Sequence, residues 1–199
     1  MEHAFMKTIS EALCEKGILV VRFEFEYMAK RRLDGLKYPP NRQPQAMAYF
    51  TEVVKTLQDE PRIPTENTLI VGGKSMGGRI ATLMAHENAE ALGIHAVICL
   101  GFPFYAPKKP RVAEHSRGQH LYDMTTPTLI LQGNRDTFAS KEEVLALPLS
   151  NQVTCEFLPD GDHSFKPRVK SGETYENNIH QAIHAMVSFM TTPSPLIAK

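Results

Sequence analysis

Short apolar runs alternate with amphipathic stretches along this chain, and that alternation admits few folds. Ile18 to Phe25, Thr68 to Val71, His95 to Leu100, Thr128 to Gln132 and Val153 to Leu158 read as buried strands. Helical stretches lie around and between them. Ala4 to Glu15 carries Phe5, Ile9, Ala12 and Leu13 on one face, and Met76 to Ala91 buries Ile80, Leu83 and Met84. Gln43 to Leu57 and Lys141 to Leu147 are further helices, and Thr174 to Met190 closes the chain with Ile179, Ile183, Met186 and Met190. Helices between apolar strands imply parallel pairing with crossovers, an α/β architecture. At 199 residues, 42% of them hydrophobic, the chain is expected to form one domain, residues 1–199. A loose tail, Thr191 to Lys199 with Pro193 and Pro195, is expected at its end.

One segment, TLIVGGKSMGGRIA from Thr68 to Ala81, concentrates the chemistry. Leu69, Ile70 and Val71 supply a strand, and Gly73-Lys74-Ser75-Met76-Gly77 is G-x-S-x-G at a strand-to-helix junction, a candidate nucleophile elbow. Gly73 and Gly77 flank Ser75, so the backbone can turn sharply there. Backbone N–H groups at the helix start, the Met76 N–H first, would face an oxyanion formed at Ser75. A phosphate-binding loop would need glycine where Thr68 stands. The remaining alternative is a glycine-rich turn whose serine only caps the helix.

A serine nucleophile needs a base, and the base an orienting acid. The Thr128–Gln132 strand ends in Gly133-Asn134-Arg135-Asp136, and the Val153–Leu158 strand is followed by Pro159-Asp160-Gly161-Asp162-His163. Functional groups of a doubly wound sheet gather beyond the carboxyl ends of its strands, and Ser75, Asp136, His163 follow in the order such hydrolases use. Asp160 and Asp162 are rival acids, but they share one turn with His163 and are poorer orienters. Singly, Asp136 could be a turn or cap residue and His163 a surface turn histidine; three such residues in order, each just past a strand, favour a triad.

The chain resembles small α/β-hydrolases of the dienelactone-hydrolase-like branch, a group of bacterial predicted hydrolases with animal relatives. The likeness runs through Gly17 to Phe25, Gly73 to Gly78, Leu100-Gly101-Phe102-Pro103-Phe104, Leu131 to Asp136 and Gly161-Asp162-His163-Ser164-Phe165. It implies an α/β-hydrolase fold, a mostly parallel sheet with helices on both faces. It further implies Ser75 as nucleophile, Asp136 as orienting acid and His163 as general base. In that family a glycine-containing loop after the third strand supplies the second oxyanion donor. Met1 to Met6 matches the helix after that loop, so the sequence as numbered lacks the family's N-terminal strands. It is expected to start late relative to an active protein, with Met1 an internal methionine. The strand that would separate Leu19–Phe25 from the elbow strand is then missing, leaving a gap or direct pairing.

The 22 basic and 22 acidic residues balance, giving no reason to expect nucleic-acid or membrane partners. Met1 to Ser10 has no apolar h-region, so no signal peptide is expected; no apolar run reaches membrane length, and the odd cysteines Cys14, Cys99 and Cys155 read as reduced thiols of a cytoplasmic protein. Two long irregular stretches are basic: Ala29 to Arg42 with Lys30, Arg31, Arg32, Lys37 and Arg42, and Ala106 to Tyr122 with Lys108, Lys109, Arg111 and Arg117. They read as solvated surface in preference to a rim for acidic substrates. His180 and His184 lie one turn apart with Glu176 one turn earlier, yet Ile179, Ile183 and Met186 take the apolar face, so no metal is expected there.

These readings together predict a serine hydrolase acting on a small-molecule acyl substrate, an ester or thioester, without cofactor. The alternative is a non-catalytic interaction module on the same fold. Nothing in the sequence favours a peptidase.

Overall fold

The computed structural model describes residues 4–64 and 66–191. Four parallel strands form its sheet in the order β1 (Leu69–Lys74), β2 (Ile94–Leu100), β3 (Thr128–Gly133) and β4 (Val153–Leu158). Lys74 is level with Leu100, Leu100 with Leu131 and Gly133 with Leu158, so the carboxyl ends of the strands share one rim.

Alternation along the strands sends successive side chains to two cores. Val71, Val97, Cys99 and Ile130 face α3 (Gln43–Gln58) and α4 (Met76–Asn88), which supply Phe50, Val54, Ile80 and Met84. Ile98, Leu100, Leu129 and Leu131 face α1 (Ala4–Cys14) and α6 (Tyr175–Thr191), which supply Phe5, Ile9, Ile179, Ile183 and Met186. Apolar residues spaced by three and four along each helix make these faces. α5 (Lys141–Leu145) bridges β3 and β4 and opens on a capping box, Ser140 with Glu143. No helix among the described residues is long and apolar enough to cross a membrane.

The expected strand Ile18 to Phe25 is not a strand. The segment joins no strand of the sheet, while Leu19 and Val21 stand 63% and 48% exposed. A strand is completed by backbone hydrogen bonds to a neighbour, and side-chain alternation alone does not supply one. Among the described residues β1 is bonded only to β2. A cavity of about 850 Å³ is lined both by Val20, Val21 and Phe23 and by Ile70, Val71 and Gly72. Of the two expected arrangements, a gap and direct pairing, the structure has the gap.

The stretch from Ala29 to Arg42 is irregular only in its second half. Its beginning lies in α2 (Glu26–Asp34), closed by Gly35 in the left-handed region at φ 74°. α2 buries none of its residues, so it carries no apolar period to read. In the Ala106–Tyr122 stretch the backbone makes two short 3-10 turns, Ala113–His115 and Gln119–Leu121. The expected loose tail begins one residue early, because Thr191 ends α6; the rest of it, with Pro193 and Pro195, lies outside the described residues.

Candidate active site

The elbow is built by close approach of β1 to α4. A Cβ on Gly73 would lie 2.7 Å from the Gly77 carbonyl carbon and 2.9 Å from the Gly78 nitrogen. One on Gly78 would lie 2.7 Å from the Gly73 oxygen and 3.1 Å from Cys99 Sγ. Gly77, expected to share the steric requirement with Gly73, faces open space instead; the pair that must be small is Gly73 and Gly78. Gly73→Ala is therefore expected to destabilise the fold by about 3 kcal/mol, the clash being with backbone that cannot swing aside. Gly77→Ala should leave the melting temperature unchanged or raise it by the equivalent of up to about 1 kcal/mol, alanine being the better helix former. Thermal melts of the two variants check both.

Between these glycines Ser75 is held at φ 54°, ψ −117°, a strained conformation for a residue with a side chain. Its N–H continues the sheet ladder to the Leu100 carbonyl at 3.0 Å, and its carbonyl accepts from Arg79 N–H at 3.1 Å. The hydroxyl makes no capping bond to α4. It points instead at His163, with 2.8 Å between Ser75 Oγ and His163 Nε2.

His163 reaches this point because β4 ends beside β3. Its Nδ1 lies 2.7 Å from Asp136 Oδ2. With the ring proton on Nδ1, the imidazole donates to Asp136 and accepts from the serine hydroxyl. The Phe138 ring lies against the imidazole, centroid to centroid 4.5 Å. Gly101, φ 68°, lets the chain pass beneath: a Cβ there would stand 2.8 Å from the His163 oxygen.

The rival acids are engaged elsewhere. Asp160 binds the Arg168 guanidinium and lies 2.9 Å from Arg135 Nε, and these bonds hold its carboxyl below the usual range. Asp162 Oδ1 accepts from Ser164 N–H at 2.7 Å and Lys166 N–H at 3.0 Å.

Asp136 is 3% exposed and its carboxylate is saturated. Oδ1 accepts the Phe138 N–H at 2.8 Å; Oδ2 accepts Gln132 Nε2 at 2.8 Å beside the imidazole. Gln132 is fully buried and also spans the Phe102 backbone, its Oε1 accepting the N–H at 2.8 Å. Sequence reasoning passed over Gln132, although an amide ending the apolar run Thr-Leu-Ile-Leu was a signal that a buried polar partner waits there. Lys74 was passed over too: its ammonium donates to the His163 carbonyl.

The remaining sequence candidates stay apart from this cluster. Arg31 donates to the Tyr38 carbonyl, Arg32 pairs with Glu24 at 2.9 Å and Arg111 with Glu143 at 2.9 Å, a locally paired surface. His180 and His184 are exposed on α6. Among the described residues no three His, Cys, Asp or Glu side chains gather as a metal site. Cys99 is buried, Cys14 is exposed, and Cys155 is half-buried on the edge strand, its thiol pushed up to about 12 by burial.

No curated protein sequence matches the chain significantly. A family model described as an alpha/beta hydrolase domain matches residues 1–191. An alpha-beta serine hydrolase homologue from Coxiella burnetii is 17% identical and superposes with TM-score 0.65, covering 94% of this chain and 76% of that one. Est1E from Butyrivibrio proteoclasticus is 16% identical with TM-score 0.64, covering 96% and 84%. The esterase domain of a Rhodothermus marinus protein is 15% identical with TM-score 0.62, covering 96% and 82%. At these identities the likeness is one of fold.

Proposed function

The chain belongs to the alpha/beta hydrolase domain family, and from that premise we propose that it is a serine hydrolase cleaving an ester or thioester of a small molecule. The observation that carries this reading is the unbroken hydrogen-bonded line from hydroxyl to imidazole to carboxylate, 2.8 Å and 2.7 Å long.

His163 Nε2 takes the hydroxyl proton as Ser75 Oγ attacks the acyl carbon. The carbonyl oxygen becomes an oxyanion beside the Met76 N–H, at the N-terminus of α4. Collapse of the tetrahedral intermediate expels the alcohol or thiol, protonated by His163, and leaves an acyl-serine. Water, deprotonated by His163, attacks the acyl carbon and releases the acid. Asp136 holds the imidazole in the Nδ1–H tautomer and stabilises the imidazolium formed in each half-reaction. Three cysteines are too few, and odd in number, for a disulfide framework, and on that count the chain is read as a protein of a reducing, cytoplasmic compartment. Residues 1–199 are read as one domain, since the described residues pack on the two faces of a single sheet.

A fluorophosphonate probe tests the reading. The expected result is one covalent adduct, mapped by mass spectrometry to the peptide bearing Ser75, together with turnover of p-nitrophenyl acetate. A folded chain that stays unlabelled sinks it, and favours a non-catalytic module on this fold.

A further inference from the structure

We propose that Lys74 is a positioning residue for His163, gripping its main-chain carbonyl and so setting the distance between imidazole and serine. The proposal rests on the roles assigned above to Ser75 and His163.

Lys74 ends β1, one residue before the strained serine. Alternation places its side chain on the same face as Ile70, toward the core of α1 and α6. That is an unfavourable place for a cation. Its ammonium lies 5.3 Å from the Phe5 ring centroid, and it forms no ion pair among the described residues. Burial lowers its pKa to about 8, and the negative charges of Asp136 and Asp162 limit the fall. Among the described contacts, the Phe5 ring on α1 and the His163 loop itself also lie against it. A site that needed only filling would hold an apolar side chain at less cost, since a desolvated charge must be offset by what it binds. What Lys74 binds is the carbonyl of the one residue whose ring faces the nucleophile.

The other ties on this loop do not reach the serine strand. Asp162 closes the turn on itself, and Asn178 Nδ2 on α6 donates to the Pro159 and Phe165 carbonyls at 3.0 and 2.8 Å. The loop passes through positive φ at Asp160, 47°, and at Phe165, 70°, so its own conformation is not at rest. β3 fixes the imidazole through Asp136, and β1 fixes the main chain through Lys74. Remove the second grip and the ring can pivot about the first. A misplacement of about 1 Å is enough to cost on the order of 100-fold in rate.

The titration gives the proposal a direction. Below about pH 8 the amine is charged and the bond to the carbonyl is of the stronger, charge-assisted kind. Above that pH the proton leaves and the grip weakens, so activity falls. Stability runs the other way. The folded pKa lies below the ordinary lysine value of about 10.4, so folding penalises the charged form. The penalty is full below about pH 8 and vanishes as pH rises toward the ordinary value.

The test compares the full chain with Lys74→Met and Lys74→Arg, reading the rate of fluorophosphonate labelling, kcat on p-nitrophenyl acetate and melting temperature from pH 6 to 9.5. Methionine keeps the length and apolar stem without the donor. Its labelling rate and kcat are expected to fall about 10- to 100-fold with KM within about twofold. The decline above pH 8 should disappear, and the melting temperature at pH 7 should match or exceed wild type. Arginine, charged throughout, should restore the neutral-pH rate and hold it flat to pH 9.5. Labelling of Lys74→Met within twofold of wild type, or a decline above pH 8 that persists in it, overturns the proposal. So does a rate loss accompanied by an equal loss of thermal stability that arginine does not rescue. A wild-type chain that resists the probe would instead overturn the hydrolase reading itself.

Discussion

Ser75→Ala is expected to lower kcat on an activated ester by about a million-fold, the scale seen when the nucleophile of such a unit is removed. The bond from Ser75 Oγ to His163 Nε2 is the only use the hydroxyl has among the described contacts. With the oxygen gone the imidazole has no nucleophile to activate, and what remains is positioning and whatever oxyanion stabilisation α4 supplies. The fold should not suffer. The hydroxyl does not cap α4, and the backbone bonds to Leu100 and Arg79 survive the substitution. A glycine variant separates chemistry from strain. At φ 54° the serine backbone stores about 1–3 kcal/mol, and glycine is free of that at an entropic cost of about 0.5–1 kcal/mol. Ser75→Gly should therefore melt at or above wild type while being as inactive as alanine. Retention by Ser75→Ala of more than about a hundredth of wild-type turnover, with a clean preparation, would assign the nucleophile elsewhere.

Much of this arrangement could be read from local sequence because its parts are local. An apolar run that stops at a glycine and a serine states its own end, and parallel pairing then sends every strand end to one rim. Order along the chain does the rest, which is why Ser75, Asp136 and His163 could be named together. What escaped was set by neighbours far away in sequence. Ile18 to Phe25 has the composition of a strand, but whether it becomes one depends on a partner strand, and among the described residues a cavity lies where one would pair. Gly77 and Gly78 look equivalent in sequence; only the packing of Cys99 and the Gly73 carbonyl under Gly78 tells them apart. α2 stayed hidden because a helix with no fully buried residue leaves no apolar period. Gln132 and Lys74 are single polar residues in apolar runs, and each has a partner on a distant loop, Phe102 for the first and His163 for the second. A sequence announces such residues as anomalies without saying what they bind.

Asp136→Asn carries the second-largest expected effect, a loss of about 10,000-fold in kcat with the fold intact. The carboxylate accepts at both ends: Phe138 N–H on Oδ1, and Gln132 Nε2 with His163 Nδ1 on Oδ2. Asparagine can offer only one accepting end. If its NH₂ takes the Oδ2 position it meets two donors, and relief requires His163 to move its proton to Nε2, which then cannot take the serine proton. If the NH₂ takes the Oδ1 position it meets the Phe138 N–H inside a buried pocket, where an unmatched donor costs about 1–3 kcal/mol. Either outcome is unfavourable, and the amide also loses the negative charge that stabilises the imidazolium. Gln132 gives no relief in the first arrangement, since its own amide could flip only by giving up the Phe102 N–H it now accepts. Asp136→Asn should therefore label with the fluorophosphonate far more slowly than wild type but on the same serine. Raising the pH should not restore it, because the missing charge is common to both arrangements and neither the misplaced proton of the first nor the unmatched donor of the second titrates away. A variant that keeps more than about a tenth of wild-type kcat would remove Asp136 from the mechanism and point to an imidazole oriented by its main-chain grip alone.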